Sequence, residues 1–290
     1  MIIVRLSGGL GNQLFQYAAG RHFQKHCGGR LILSSARLAE RGATPRNHEL
    51  GAFHCAVEQP SLGLRLLLAA LTWRGWRSLL PALLKRLPSP WTFVAETSQT
   101  PSLTAGVIVL DGYWQDWQLI QNQAATLLQE LAPSSPLPPC AASVLDAITR
   151  APSSVAVHIR RGDYASRYET AAHHGVCPPS YYTAAASHIA SRTPASQWFL
   201  FSDDPDWVES NRQLFPPSAT IVRTNPDTPW VDLVLMSRCS HCVIANSTFS
   251  WWAAWLGPAQ NNGLVIAPSR WFAQAPEPAN LIPPNWLRLG

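Results

Sequence analysis

Residues 153–164 read SSVAVHIRRGDY, and two changes of character inside this stretch decide the fold. Val155 to Ile159 form an apolar run without the alternation of a half-exposed strand, which predicts a strand buried on both faces of a parallel sheet. Directly after it come two arginines, a glycine, an aspartate and a tyrosine, in a chain where only 13% of residues are charged. Charge concentrated at the end of a buried strand has three readings. It is an adhesion tripeptide (Arg161, Gly162, Asp163), a salt-bridged structural corner, or a site for a doubly charged phosphate group.

Working outward, similar apolar runs recur at 197–202 (QWFLFS), 219–223 (ATIVR), 241–245 (HCVIA) and 263–268 (GLVIAP). Between them lie the helical segments SYYTAAASHIAS, PDWVESNRQLF, TPWVDLVLMSRC and STFSWWAAWL. Alternating strand and helix predicts a doubly wound α/β domain from about residue 150 onward. The N-terminal half opens the same way, with strand IIVRL (2–6), turn SGGLGNQ, helix LFQYAAGRHFQKH and strand RLILS. The pattern then fades until GVIVLDGYWQ at 106–115. Proline and serine in APSSPLPPCAAS (132–143) mark a linker, so two α/β domains are expected, 1–145 and 146–290.

Composition narrows the function. Hydrophobic residues make up 47% of the 290, enough to build a core without covalent staples. The net charge of +5 is dispersed, with no run of five like charges, which argues against nucleic acid as a partner. No secretory signal pattern opens the chain, so a cytoplasmic location is expected. Cys239 and Cys242 form a lone Cys-x-x-Cys without a second half-site, which favours core packing over metal.

In open α/β sheets ligands bind beyond the carboxyl ends of the strands. The residues there are His158 to Tyr164, then Ser202 to Asp204, Thr224 and Asn225, Asn246 to Thr248, and Ser269 with Arg270. Arg160 and Arg161 offer planar forks for phosphate oxygens, or else close a structural ion pair. Ser247 and Thr248 stand where strand turns into helix, a place for an anion or simply for a cap. Asp204-x-Asp206 could hold a divalent cation, but with Pro205 between them it is better read as a helix start, and Asp203 remains a candidate for sugar or base contact. The turn GGLGNQ is not a dinucleotide fingerprint, because Leu14 stands at the third glycine position and Ser34 and Ser35 replace the acidic ribose ligand. What remains is close backbone approach at Gly11, with Asn12 and Gln13 as amide donors. His173 and His174 read as solvated loop residues.

Taken together, GGLGNQLFQYAAG (8–20), LDGYWQ (110–115), HIRRGDY (158–164), FSDD (201–204) and NSTFSWWAAWL (246–256) resemble the bacterial α-1,2-fucosyltransferases of glycosyltransferase family 11. The resemblance runs over nearly the whole chain. It implies a GT-B type architecture, two Rossmann-like domains with parallel sheets facing a cleft. It also implies transfer of L-fucose from GDP-β-L-fucose to the 2-hydroxyl of a terminal galactose, with inversion and with neither cofactor nor essential metal. By the same resemblance Arg160 faces the diphosphate, while His158 and Asp163 support the nucleotide sugar. The donor is further met by Gly11, Asn12 and Gln13 from the first domain. In the second domain it is met by Arg161, Tyr164 and Asp203, by Asp232 at the guanine, and by Asn246, Ser247, Thr248 and Phe249. Tyr113, Trp114 and Gln115 fall on the acceptor side, toward a galactose-terminated oligosaccharide.

One segment stands apart. Leu62 to Trp91 is rich in leucine, tryptophan and basic residues, with no acidic residue from Pro60 to Phe93. Arg65, Arg74, Arg77, Lys85 and Arg86 suit peripheral contact with the inner, anionic membrane face. The preferred alternative is an amphipathic helix pair packed on the first domain.

Overall fold

The structure, a computed structural model, describes residues 1–38, 46–71, 82, 84, 86, 91–96, 106–162 and 175–290. It divides into two compact units, Met1–Ser134 and Ser135–Gly290. This division replaces the expected boundary at 145/146. That boundary falls within the proline- and serine-rich stretch 132–143 read as a linker, but the end of the stretch is not linker: Pro139 opens helix α5 (Pro139–Arg150, numbered in the order below), which buries Ala141 and Ile148 and packs in the second unit.

In the first unit a four-stranded parallel sheet has the order β2-β1-β4-β3, built from β1 (Ile2–Arg5), β2 (Leu31–Ser34), β3 (Trp91–Ala95) and β4 (Val107–Asp111). Helix α1 (Leu10–Cys27) crosses from β1 to β2. It starts four residues earlier than the expected LFQYAAGRHFQKH, because the Gly-Asn-Gln end of the turn forms its first turn. Helix α2 (Leu62–Ala70) sends Leu68 into a cluster with Ile3, Ile32, Trp91 and Val109, joined by Leu71 and Leu84. The packed alternative therefore holds for these leucines. Arg65 and Arg86 are exposed, while Arg74, Arg77 and Lys85 lie outside the described residues. Helices α3 (Trp117–Gln121) and α4 (Ala124–Glu130) follow β4. Strand β3 escaped the sequence reading because it is an edge strand whose burial is broken by exposed positions.

The second unit carries a six-stranded parallel sheet in the order β10-β9-β8-β5-β6-β7. Its strands are β5 (Ser154–Ile159), β6 (Gln197–Ser202), β7 (Thr220–Ile221), β8 (His241–Val243), β9 (Val265–Pro268) and β10 (Leu287–Leu289). All six residues of β5 are buried, as an apolar run with a covered face on each side requires. The covering helices are α5, α6 (Pro179–Ala190), α7 (Pro205–Ser210), α8 (Pro229–Ser237), α9 (Thr248–Leu256) and the short α10 (Ala259–Asn262). α5 to α8 each open on proline, whose fixed φ and missing N–H cost nothing in the first helical turn. Cys239 and Cys242 are buried with their sulfurs against the carbonyls of Leu235 and Met236, as core packing predicts. Three-residue β10, at the sheet edge, was missed for want of length.

The strand orders show where the winding of each parallel sheet reverses. From β5 the chain steps outward through β6 and β7, then returns to the other side of β5 with β8 and continues to β9 and β10. The crevice of this unit thus lies beyond the carboxyl ends of β5 and β8, and the same logic in the first unit points to β1 and β4.

Gly20 lets α1 lie close on its sheet. A Cβ there would stand 2.7 Å from Val4 Cγ2 and 2.8 Å from Leu31 Cδ1. Alanine is the better helix former, yet overpacking opposes it. Gly20→Ala is expected to lower unfolding free energy by ~1–3 kcal/mol, read as a lower midpoint with unchanged slope in urea titration.

Candidate active site

Two strands into the second unit, Asp203 organises the end of β5. Its Oδ2 pairs with Arg160 at 2.9 Å and its Oδ1 accepts the backbone N–H of Arg161 at 2.8 Å. The carboxylate lies so close to Gly162 that a Cβ there would meet Oδ2 at 2.4 Å. Glycine is needed at 162 for this approach, which accounts for the tripeptide without any adhesion role. The Arg161 guanidinium stacks 4.3 Å over the Trp207 ring and lies 3.5 Å from Asp204. The salt-bridged corner is therefore realised, and it fixes both guanidinium groups just past the end of β5.

The start of α7 explains the carboxylates that follow. Asp204 caps the helix by accepting from Trp207 N–H at 3.1 Å, and its own N–H reaches Ser202 Oγ at 3.0 Å. Ser202 Oγ in turn donates to the Ile159 carbonyl at 2.9 Å, tying β6 to the end of β5. Asp206 is exposed in the first turn, 3.8 Å from Arg223. The capping reading of Asp204-x-Asp206 holds. Among the described residues no three His, Cys, Asp or Glu are grouped to ligate a metal.

His158 points into the core, 5% exposed, its ring 5.5 Å from Phe249 of α9. Burial, with the positive Arg160 nearby, pushes its pKa down to about 3, so the imidazole is neutral at physiological pH. Its Nδ1 has no hydrogen-bond partner. It supports the segment from below and is not placed to exchange protons with solvent.

At the end of β8, Ser247 is the residue before α9, but its hydroxyl makes no capping bond. The bland alternative of a cap is thus not taken up, and the hydroxyl stands with the first N–H groups of a helix whose other side is anchored by three buried tryptophans. Thr248 and Phe249 occupy the first turn. Asn246 is different. Its Nδ2 donates to the carbonyls of Gly175 and Trp271 (3.2 and 3.1 Å), and its Oδ1 receives the Cys177 thiol at 3.5 Å. The expected donor contact is replaced by an internal brace at the wall of a cavity of about 460 Å³ near Cys177 and Arg270. Asp232 lies toward the β7 side, where Thr224 Oγ1 donates to it at 2.6 Å; burial raises its pKa and that hydrogen bond opposes the rise. Asp163 and Tyr164 lie outside the described residues, as do His173 and His174.

In the first unit GGLGNQ and DGYWQ meet at the ends of β1 and β4. Gly8 takes φ +76°, and Gln115 Nε2 donates to Asn12 Oδ1 at 3.2 Å. Gly11 is buried in the first turn of α1. Gln13 is not available as a ligand donor: its Nε2 serves the carbonyls of Gly8 and Asn47, and its Oε1 accepts from Glu49 N–H. Burial without exposure replaces the expected contact. Trp114 and Gln115 are buried, whereas Tyr113 is 47% exposed. Asp111 closes β4 between Arg5 and Arg37. Trp207 and Glu96, which accepts from the Tyr113 and Gln115 N–H groups, escaped the sequence reading. Trp207 was signalled only by its place three residues after a cap, and Glu96 by nothing local.

Comparison with known proteins bears on family and fold. Over its full length the chain is similar to an alpha-1,2-colitosyltransferase of Escherichia coli, 29% identical over 302 residues that cover 100% of this chain and 99% of that protein. It is 26% identical over 136 residues to human galactoside alpha-(1,2)-fucosyltransferase 1, covering 46% of this chain and 37% of that protein. In fold it is similar to the solved structure of the fucosyltransferase NodZ from Bradyrhizobium, with TM-score 0.55 at 16% identity over 89% of this chain and 92% of that one. The two Rossmann-like, parallel-sheet units are those of the GT-B type. Residues 109–289, from β4 to β10, match the model of glycosyl transferase family 11, and the chain belongs to that family.

Proposed function

We propose that the protein transfers L-fucose from GDP-β-L-fucose to the 2-hydroxyl of a terminal β-galactoside, as in O-antigen or related glycan synthesis, with inversion at the anomeric carbon. The observation that carries this reading is the arginine pair after β5, held by Asp203 and Asp204 where the strand order reverses. In such a transfer the bond between the anomeric carbon and the β-phosphate oxygen lengthens while the acceptor oxygen approaches from the opposite face. The electron pair leaves with GDP, and the acceptor hydroxyl releases its proton to solvent water, the transfer yielding glycoside, GDP and one proton. Charge building on the β-phosphate meets Arg160 and Arg161, whose orientation costs no rearrangement at that moment. Ser247 and the opening of α9 are the second anion-binding element. This reading needs no cofactor or metal, since the guanidinium charge meets the leaving diphosphate. The family relationship supports the α-1,2 linkage through the two named relatives, one acting on colitose and one on fucose. GDP-fucose and a colitosyl donor offered side by side with a β-galactoside panel, followed by linkage analysis, identify the sugar. Sole use of the colitosyl donor, or an α-1,6 product, refutes the fucosyl α-1,2 reading.

The site makes two quantitative expectations. Removing a donor fixed against developing charge costs ~3 kcal/mol of barrier, so Arg160→Ala should lose at least ~100-fold in kcat. Arg160→Lys, a point charge without the fork that Asp203 orients, should recover only a small part. Near-wild-type turnover in either variant refutes the role. GDP at ~100 times its Kd should stabilise the native state by ~2.7 kcal/mol and raise the melting temperature measurably; no shift at millimolar GDP counts against a nucleotide site.

The same reading includes peripheral contact with an anionic membrane, where a lipid-linked acceptor would lie. Leu62 and Leu66, one turn apart on α2, are 74% and 65% exposed beside exposed Arg65, in a segment free of acidic residues. No helix among the described residues is long and apolar enough to cross a bilayer. In flotation with phosphatidylglycerol vesicles, the wild type should rise with the lipid and a Leu62→Ser/Leu66→Ser variant should not; equal flotation, or none by the wild type, removes the contact.

A further inference from the structure

Glu96 follows β3 and is used twice by the turn after β4. Its Oε2 accepts the N–H of Tyr113 at 2.9 Å and its Oε1 accepts the N–H of Gln115 at 3.1 Å. Amides two residues apart converge on one carboxylate when the residue between them turns the chain sharply. Trp114 does so at φ +57°, the one non-glycine with positive φ among the described residues. Bulky side chains rarely adopt that conformation, and it persists where surrounding contacts over-determine it. Those contacts are present. The Trp114 ring packs edge-on to Phe23 of α1 at 5.5 Å, and Gly112, at φ +152°, leaves room for Glu96, whose Cβ would be 2.7 Å from any Cβ at 112.

The consequence reaches both functional stretches of the first unit. With Trp114 turned inward, Tyr113 faces outward and is the one exposed ring of the turn, while Gln115 turns back to hold the Asn12 side chain at 3.2 Å. An exposed phenol is the chemistry that receives the apolar C–H face of a terminal pyranose. A carboxylate suits the task because both of its oxygens accept, whereas a carboxamide sets one NH2 against an N–H it would have to receive.

We propose that Glu96 is a positioning residue for acceptor recognition, holding Tyr113 outward to meet the terminal sugar and Gln115 inward against Asn12. This rests on the transferase reading above and deepens its acceptor side. Glu96 touches neither substrate nor reacting atoms; it acts through the turn.

The test compares wild type with the nearly isosteric Glu96→Gln, using lactose as acceptor and GDP-fucose as donor. The variant should raise the KM for lactose about tenfold, the loss expected for roughly one hydrogen bond to a charged group, with donor KM within about twofold. Lactose affinity measured by NMR titration with GDP present should fall in parallel, so the readout does not depend on turnover. Hydrogen exchange over residues 112–116 should quicken in the variant while the peptides of β5 keep wild-type protection, which also shows that the chain is folded. Unchanged lactose KM and affinity overturn the proposal, and faster exchange with unchanged lactose binding does so as well, since it leaves Glu96 a structural role only. A wild type that neither binds nor glycosylates any β-galactoside overturns the transferase reading itself, and that result appears before any variant is made.

Discussion

The contact on which the second unit's site depends is the carboxylate of Asp203 against the end of β5. One oxygen holds Arg160, the other holds the Arg161 amide, and the absence of a side chain at Gly162 lets the group come this close. Two guanidinium groups side by side repel each other and lose rotamer entropy when fixed. An acidic partner from the neighbouring strand offsets both costs, and Trp207 and Asp204 do the same for Arg161. The cations are thereby oriented before any ligand arrives, which is the condition for stabilising charge that develops only during reaction.

A corresponding economy governs the first unit. Its polar residues at the sheet end are largely committed to one another: Gln13 to the backbone around Gly8 and Asn47, Gln16 to Ser7 and Gly112, Asp111 to Arg5 and Arg37. The buried amides of Gln13 and Gln16 are paired at both their oxygen and their nitrogen, and they lock the glycine turn to the start of α1. What is left exposed is the turn after β4, and Glu96 shapes it. Committed braces and the exposed Tyr113 thus lie along the same short stretches, GGLGNQ and DGYWQ.

Much of this was legible in the sequence. Continuous apolar runs mark buried parallel strands because a two-sided cover removes the need for alternation, and prolines and caps mark the helix starts. Arg160, Arg161 and Ser247 stand out in the sequence as site candidates by their place just past such runs. The edge strands β3 and β10 do not stand out, since short and partly exposed strands carry little periodic signal. Gln13 and Asn246 were read as ligand groups because an amide after a strand looks the same whether it serves a ligand or the backbone.

The sequence alone determined the α/β class, the strand ends where polar groups converge and the family resemblance, because these depend on local composition and order. Tertiary structure decided which strands lie side by side, and therefore that β5 and β8, and β1 and β4, flank the crevices. It also decided the division at Ser134, the service of Asp203 to both arginines, and the reach of Glu96 to a turn 17 residues away. The physical reason is the same in each case. Hydrogen bonds and ion pairs act over about 3 Å, and only the folded sheet brings residues from different strands within that range.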